Sequence, residues 1–288
     1  MEHSENQSPA VPRRRLRAEL RRVRLDAGLT QEQVAQAMDW SLSKLIRIEN
    51  GSVGISTNDL KAILQHYQIN DEKRTAELIA LARAAKERSW WSTYRDSISK
   101  RLLQFIEYEN AANVSLHYED LVIPGLLQTA DYMRASTRRL APEMSESGVD
   151  TVIELRLKRQ ELLTRPDAPL LDFVVDEAVI RRVVGGHDVM RQQLQQLVEL
   201  ADLPNVTIEV VPFSAGLIPG LQVPFVIHKF PDPADDDVLY LEGLRGDLLS
   251  RDDADVIASF HEDFDRMRHA SLGPDGTTDF LRKVIAEL

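Results

Sequence analysis

The 288-residue chain contains no cysteine. That absence excludes a disulfide framework, a thiolate metal site and a cysteine nucleophile, and it fits a reducing cytosol. Nor is there an apolar run approaching the roughly 20 residues that cross a bilayer, and the polar N-terminus lacks a signal-peptide core. The expectation is a soluble, cytoplasmic protein with no membrane partner. No Gly-x-Ser-x-Gly elbow, P-loop or dinucleotide fingerprint occurs. The seven histidines, at 3, 66, 117, 187, 228, 261 and 269, include no pair at metal-ligand spacing. His117, followed by Tyr118-Glu119-Asp120, is the most suggestive, and a structural role is its simpler reading. Asp176-Glu177 with Arg181-Arg182 reads as an ion-paired helix start, and the acidic run from Asp232 to Asp237 as a solvated turn without EF-hand spacing. No repeat or low-complexity tract appears. These absences lead to the expectation of no metal, no cofactor and no enzymatic activity.

What is present is enough for two domains, with 43% hydrophobic residues to build their cores. The net charge of −11 is unevenly spread. Residues 1–88 hold 15 Lys and Arg against 12 Asp and Glu, a charge of +3, and the remainder holds 20 against 34, a charge of −14. An acidic body cannot lie on a polyanion, whose binding is driven by cationic contacts and counterion release. For most of these carboxylates, solubility is the simpler account.

The informative stretch runs from Leu29 to Gly51, LTQEQVAQAMDWSLSKLIRIENG. Thr30 is placed to cap a helix over 31–38, with Gln33 where a capping box wants Glu or Gln. Asp39-Trp40 breaks it, Ser41 caps again, and a second short helix over 42–50 ends at Gly51. Val34, Ala35, Met38, Leu45 and Ile48 converge between the helices, which leaves Ser41, Leu42, Ser43, Lys44 and Arg47 outward. This is a helix-turn-helix, the motif that lays its second helix in the major groove of double-stranded DNA. Arg47 carries a donor fork that matches guanine O6 and N7. Ser41 and Ser43 suit a base edge or a phosphate, Leu42 a thymine methyl, and Lys44 a phosphate. Gln31 would offer its amide and nearby N–H groups to the DNA backbone.

Around this motif, residues 1–12 are polar, with Ser8-Pro9 and Pro12, and read as a disordered arm. A helix follows from Arg13, with Leu16, Leu20, Val23 and Ala27 on one face. Arg13 and Arg14, near its start, can reach flanking phosphates or the minor groove, or can be solvated. Thr57 and Asp71 begin two further helices, and Trp90-Trp91 suggests an interdomain joint or ordinary packing. Residues 100–140 read as mostly helical, through Ala111 to Leu116 and again from Leu126 to Arg139. Strand signals sit at 170–175, 206–211, 223–229 and 238–241, with helices at 150–164, 187–201 and 251–271. The apolar, glycine- and proline-rich loop from Phe213 to Pro224 fits a pocket cover, a partner surface or a buried connection.

The motif from Leu29 to Gly51 resembles Xre-type, lambda-repressor-like regulators, departing at Asp39, where that family usually has glycine. Asp tolerates positive φ better than most residues. The run Leu121-Val-Ile-Pro-Gly-Leu-Leu-Gln-Thr-Ala-Asp-Tyr132 resembles an actinobacterial group that joins such a head to a C-terminal domain catalogued as of unknown function and described as toxin–antitoxin-like. Arg156–Arg165, Asp176-Glu177-Ala178 with Gly185-Gly186, Leu203–Thr207, Val211–Gly216, Phe225 and Tyr240–Glu242 extend that resemblance. It implies that Gln31, Ser41, Leu42, Ser43, Lys44 and Arg47 touch DNA, and it adds a small protein partner encoded nearby.

The expected fold is mainly α with an α+β C-terminal domain. A disordered arm (1–12), a five-helix lambda-repressor-like DNA-binding domain (13–70) and a connecting helix (71–94) precede a regulatory or interaction domain (95–288). That last domain is a small, mostly antiparallel sheet flanked by helices. The expected function is a sequence-specific, homodimeric transcription regulator whose C-terminal domain binds a small protein or a small-molecule effector. The alternatives are a protein-neutralising antitoxin that autoregulates its operon, and an enzyme tethered to DNA.

Overall fold

The computed structural model describes residues 8–51, 53–69, 71–86, 89–95, 97–221, 223–232, 235–242, 248–251 and 253–288. The chain divides into two compact units, Met1–Ser92 and Thr93–Leu288.

The first unit is a bundle of five helices: α1 (Ala10–Asp26), α2 (Gln31–Ala37), α3 (Leu42–Glu49), α4 (Thr57–His66) and α5 (Glu72–Ala84). Local chemistry sets most of their ends. Thr30 and Gln33 exchange both bonds of a capping box, and Ser41, Ser56 and Asp71 accept backbone N–H bonds at the next three starts. Between α2 and α3 the chain turns through Asp39 at φ 54°, and α3 leaves through Gly51 at φ 78°. Leu16, Leu20, Val34, Leu45, Ile48, Leu60 and Ile63 fill the core. Burying each such side chain stabilises the fold by about 1.5–3 kcal/mol.

Two expectations shift here. Of the arm expected at 1–12, the first seven residues lie outside the described ones, and Ala10 to Pro12 are already helical. Proline is tolerated there because its missing N–H falls in the first turn. The helix expected to act as a connector, α5, instead packs Leu78 and Ala82 into this core.

The second unit wraps a six-stranded mixed sheet in helices. In chain order it runs α6 (Lys100–Ala111), β1 (Val114–Glu119), α7 (Ala130–Leu140), α8 (Glu146–Gln160), β2 (Leu170–Asp176), α9 (Glu177–Arg181), α10 (His187–Leu200), β3 (Val206–Val211), β4 (Phe225–Lys229), β5 (Val238–Glu242), β6 (Leu248–Arg251), α11 (Ala254–Ala270) and α12 (Gly273–Glu287). The strand order is β3-β2-β1-β4-β5-β6. β1 pairs parallel to β2, which pairs parallel to β3, whereas β4, β5 and β6 continue antiparallel. The stretch from Ala111 to Leu116, expected to be helical, therefore ends α6 and enters a central strand.

The period-2 alternation assigns the two faces. Leu116, Tyr118, Phe225 and Ile227 pack with Phe264 and Met267 of α11. On the other side Leu171, Phe173 and Val175 pack with Met190 and Leu194 of α10 and Leu281 of α12. Asp176 and Glu177 do start a helix: Asp176 caps α9, and Arg181 pairs with Glu177 at 2.5 Å. Among the described residues no helix is long and apolar enough to cross a membrane.

Candidate nucleic-acid interface

The orientation of α3 is fixed from beneath. Glu49, at its C-terminal end, is buried and accepts Nε (2.7 Å) and Nη2 (3.0 Å) of Arg24 from α1. Arg24 also reaches the Leu29 carbonyl through Nη1 at 2.9 Å, and Gln31 donates its amide to Glu49 at 2.8 Å. A two-pronged Arg–carboxylate pair fixes angle as well as distance. It ties α1, the start of α2 and the end of α3 together. Arg17 closes the same end, donating to the Asn50 carbonyl at 3.2 Å.

With Leu45, Ile48 and Glu49 buried, the opposite face of α3 presents Leu42 (36% exposed), Ser43, Ile46 (38% exposed) and Arg47. Arg47 is exposed and makes no ion pair among the described residues. Ser41 is exposed too, with its hydroxyl accepting the Lys44 N–H as the helix cap.

Other expected contacts are engaged within the protein. Lys44 reaches Asp59 of α4 at 3.2 Å and lies 3.9 Å over the Trp40 ring. The amide nitrogen of Gln31 is committed to Glu49. Because α1 starts at Ala10, Arg13 and Arg14 occupy its second turn and are half-buried, with Arg13 donating to the Ala85 carbonyl at 3.3 Å. Ile46 completes the exposed face and was missed by sequence reasoning. Its signal was its place four residues after Leu42.

Elsewhere, the pairing of β1 with β4 brings together two histidines far apart in sequence. His117 and His228 have ring centroids 6.3 Å apart, both buried. Among the described residues no group of three or more His, Asp or Glu is placed to hold a metal ion. Of the acidic run, Pro233 and Ala234 lie outside the described residues, and Asp237 bonds His261 at 2.8 Å. In the apolar loop after β3, Phe213 and Leu217 are exposed, Leu217 to 95%, and Ile218 is buried.

Comparison with family models agrees with this division. Residues 15–78 match a model described as a helix-turn-helix domain. The class is thus a helix-turn-helix DNA-binding regulator. Residues 102–283, well over half of the chain, match the domain of unknown function DUF5753, and the chain belongs to that family. Comparison with curated proteins and with solved structures gives no match.

Proposed function

We propose that this chain is a sequence-specific transcription regulator of the Xre type, from the actinobacterial group that its sequence resembles, and that it binds operator DNA as a homodimer. The observation that carries this reading is the exposed face of α3, where Arg47, Ser43, Leu42 and Ile46 stand together on a helix braced by the Arg24–Glu49 pair. Arg47 grips a guanine, Ser43 reaches a base edge or phosphate, and the two aliphatic side chains meet thymine methyls. An eight-residue helix meets only a few base pairs, so two heads on half-sites about one turn apart supply the specificity. Backbone N–H groups at the start of α2 add phosphate contacts at its edge.

The C-terminal domain serves as the sensing or interaction half, taking a small protein partner or an effector and catalysing nothing. The exposed Phe213 and Leu217 support a protein-facing surface. Selection of genomic fragments by the full-length protein at physiological salt tests the reading. The expected result is a short inverted repeat, lost with Arg47→Ala. Recovery of unrelated fragments by both proteins would contradict it.

A further inference from the structure

In the second unit, α6, β1, α8, β4, β5 and the segment 122–128 line a cavity of about 270 Å³ that opens to solvent. Phe105, Val122 and Leu126 supply apolar wall, and the polar wall holds His117, Gln128, the carboxylate Glu119 and two guanidiniums, Arg156 and the Glu109-paired Arg159. His117 is 4% exposed, and its Nε2 has no hydrogen-bond partner among the described residues. Its neighbour His228 is also buried, with Nδ1 on the Ser115 hydroxyl at 2.8 Å and Nε2 likewise without a partner among the described residues, but of the two rings it is His117 that lines the cavity. Burial, with Arg159 nearby, pushes His117 down to about 3, so the ring is neutral and can offer either an N–H or a lone pair. Among its contacts, Arg156 donates to Gln128 Oε1 and Thr137 Oγ1, each at 3.3 Å.

A buried ring nitrogen without a partner opposes folding, and phenylalanine would fill similar space without that penalty. Its position in a cavity wall beside a guanidinium is instead what recognition of an acceptor requires. Size narrows the ligand further. An apolar cavity of about 150 Å³ takes benzene, which scales to roughly ten non-hydrogen atoms here.

We propose that this cavity binds a compact aromatic acid or amide, its ring against Phe105, Val122 and Leu126 and its carbonyl head toward His117 and Arg156. This rests on the reading above for its regulatory meaning, since it gives the effector a site and a chemistry. Binding itself is measured without DNA, so failure here and failure of operator selection are separate results.

The experiment titrates 4-hydroxybenzoate and 4-hydroxybenzamide into the full-length protein, following thermal unfolding and histidine ring ¹⁵N resonances. At least one probe is expected to raise Tm saturably, by roughly 5 °C at about 100-fold its Kd, and to move one histidine Nε2 resonance. Preference for the benzoate assigns charge recognition to Arg156, and preference for the amide assigns hydrogen bonding alone. His117→Phe keeps or raises the unliganded Tm and abolishes the response. Val122→Trp, which fills the cavity from its half-buried rim, abolishes it as well. Cyclohexylamine, a saturated cation of similar size, gives no response. A flat response to both aromatic probes would overturn the proposal, as would a response that survives both substitutions or that cyclohexylamine reproduces.

Discussion

Each unit holds its helices with a buried, two-pronged arginine–glutamate pair, and the surroundings of the two pairs differ. In the head, Arg24 and Glu49 are joined by Gln31 and the Leu29 carbonyl, and the pair is closed off from water. A cavity in that unit, beside Arg13 and Leu16, measures about 30 Å³, room for little more than a water molecule. In the second unit, Arg159 grips Glu109 at 2.9 and 2.7 Å, but it also lies over the Phe105 ring and borders a cavity of about 270 Å³. One pair braces a surface that faces outward. The other borders a recessed pocket. A rigid outward surface suits reading DNA, and a recessed pocket with an unpartnered histidine nitrogen in its wall suits taking up a ligand.

The largest test of that contrast removes each acid. Glu49→Ala leaves Arg24 buried without a counter-charge and is expected to cost about 3–5 kcal/mol of head stability. Glu109→Ala leaves Arg159 at a cavity that admits water, so its cost is expected to be smaller, roughly 2 kcal/mol. Denaturant titration of the full chain, with both units resolved, measures the two. Equal costs would remove the distinction.

A backbone test comes next. Gly185 sits at φ 74°, and a Cβ there would lie 2.9 Å from side-chain atoms of both Ala135 and Val189. Gly185→Ala should destabilise the second unit by about 2–4 kcal/mol and leave the head's transition in place. Loss of both transitions together would break the separation of the units.

The pH response should also separate them. His117 and His228 are held neutral below the usual histidine range, first by burial. Their unfolded forms take up protons near pH 6.5 while the folded forms do not, so the unfolded state binds more protons. Stability of the second unit is therefore full above about pH 6.5 and falls on acidification toward pH 3, by up to about 1.4 kcal/mol per pH unit for each ring. His117→Phe should roughly halve that slope, as read from denaturation midpoints across pH.

In the head the corresponding group is Glu19. Burial pushes its carboxyl up, but hydrogen bonds and charge from Arg22 and Arg74 outweigh this and hold it below the usual carboxylate range. Its contribution is present above the unfolded pKa of about 4.3 and is lost as pH falls through the lower folded value. Glu19→Gln should remove that loss and cost under about 1 kcal/mol at neutral pH. A larger cost would make the Arg22–Glu19–Arg74 cluster a structural brace.

How much of this was legible in the sequence followed from how local its causes are. Thr30 with Gln33, Ser41 and Gly51 mark α2 and α3 by short-range bonds and a left-handed exit, so the two helices and the exposure of Arg47 came out directly. The start of α12 was masked by Gly273-Pro-Asp-Gly276, which carries turn residues although Pro274 suits a first helical turn. β1 was misread because Val114 and Leu116 prolong the apolar pattern of α6. Its strand character comes from β2 and β4, far along the chain, and its inner face carries Ser115 and His117 in place of aliphatic residues. Pairing of this kind also created the His117–His228 neighbourhood, which no spacing in the sequence could announce. Lys44 was legible as exposed, but not its partner Asp59 on the next helix but one from α2.

The central claim, that the exposed face of α3 reads bases, is tested most directly by equilibrium binding of wild type and Arg47→Ala. Each is titrated against the selected operator and against an unrelated duplex of equal length, at one salt concentration. The account predicts a roughly 5- to 150-fold loss on the operator and little change on the unrelated duplex. Equal losses on both would reduce Arg47 to a phosphate contact and contradict the account.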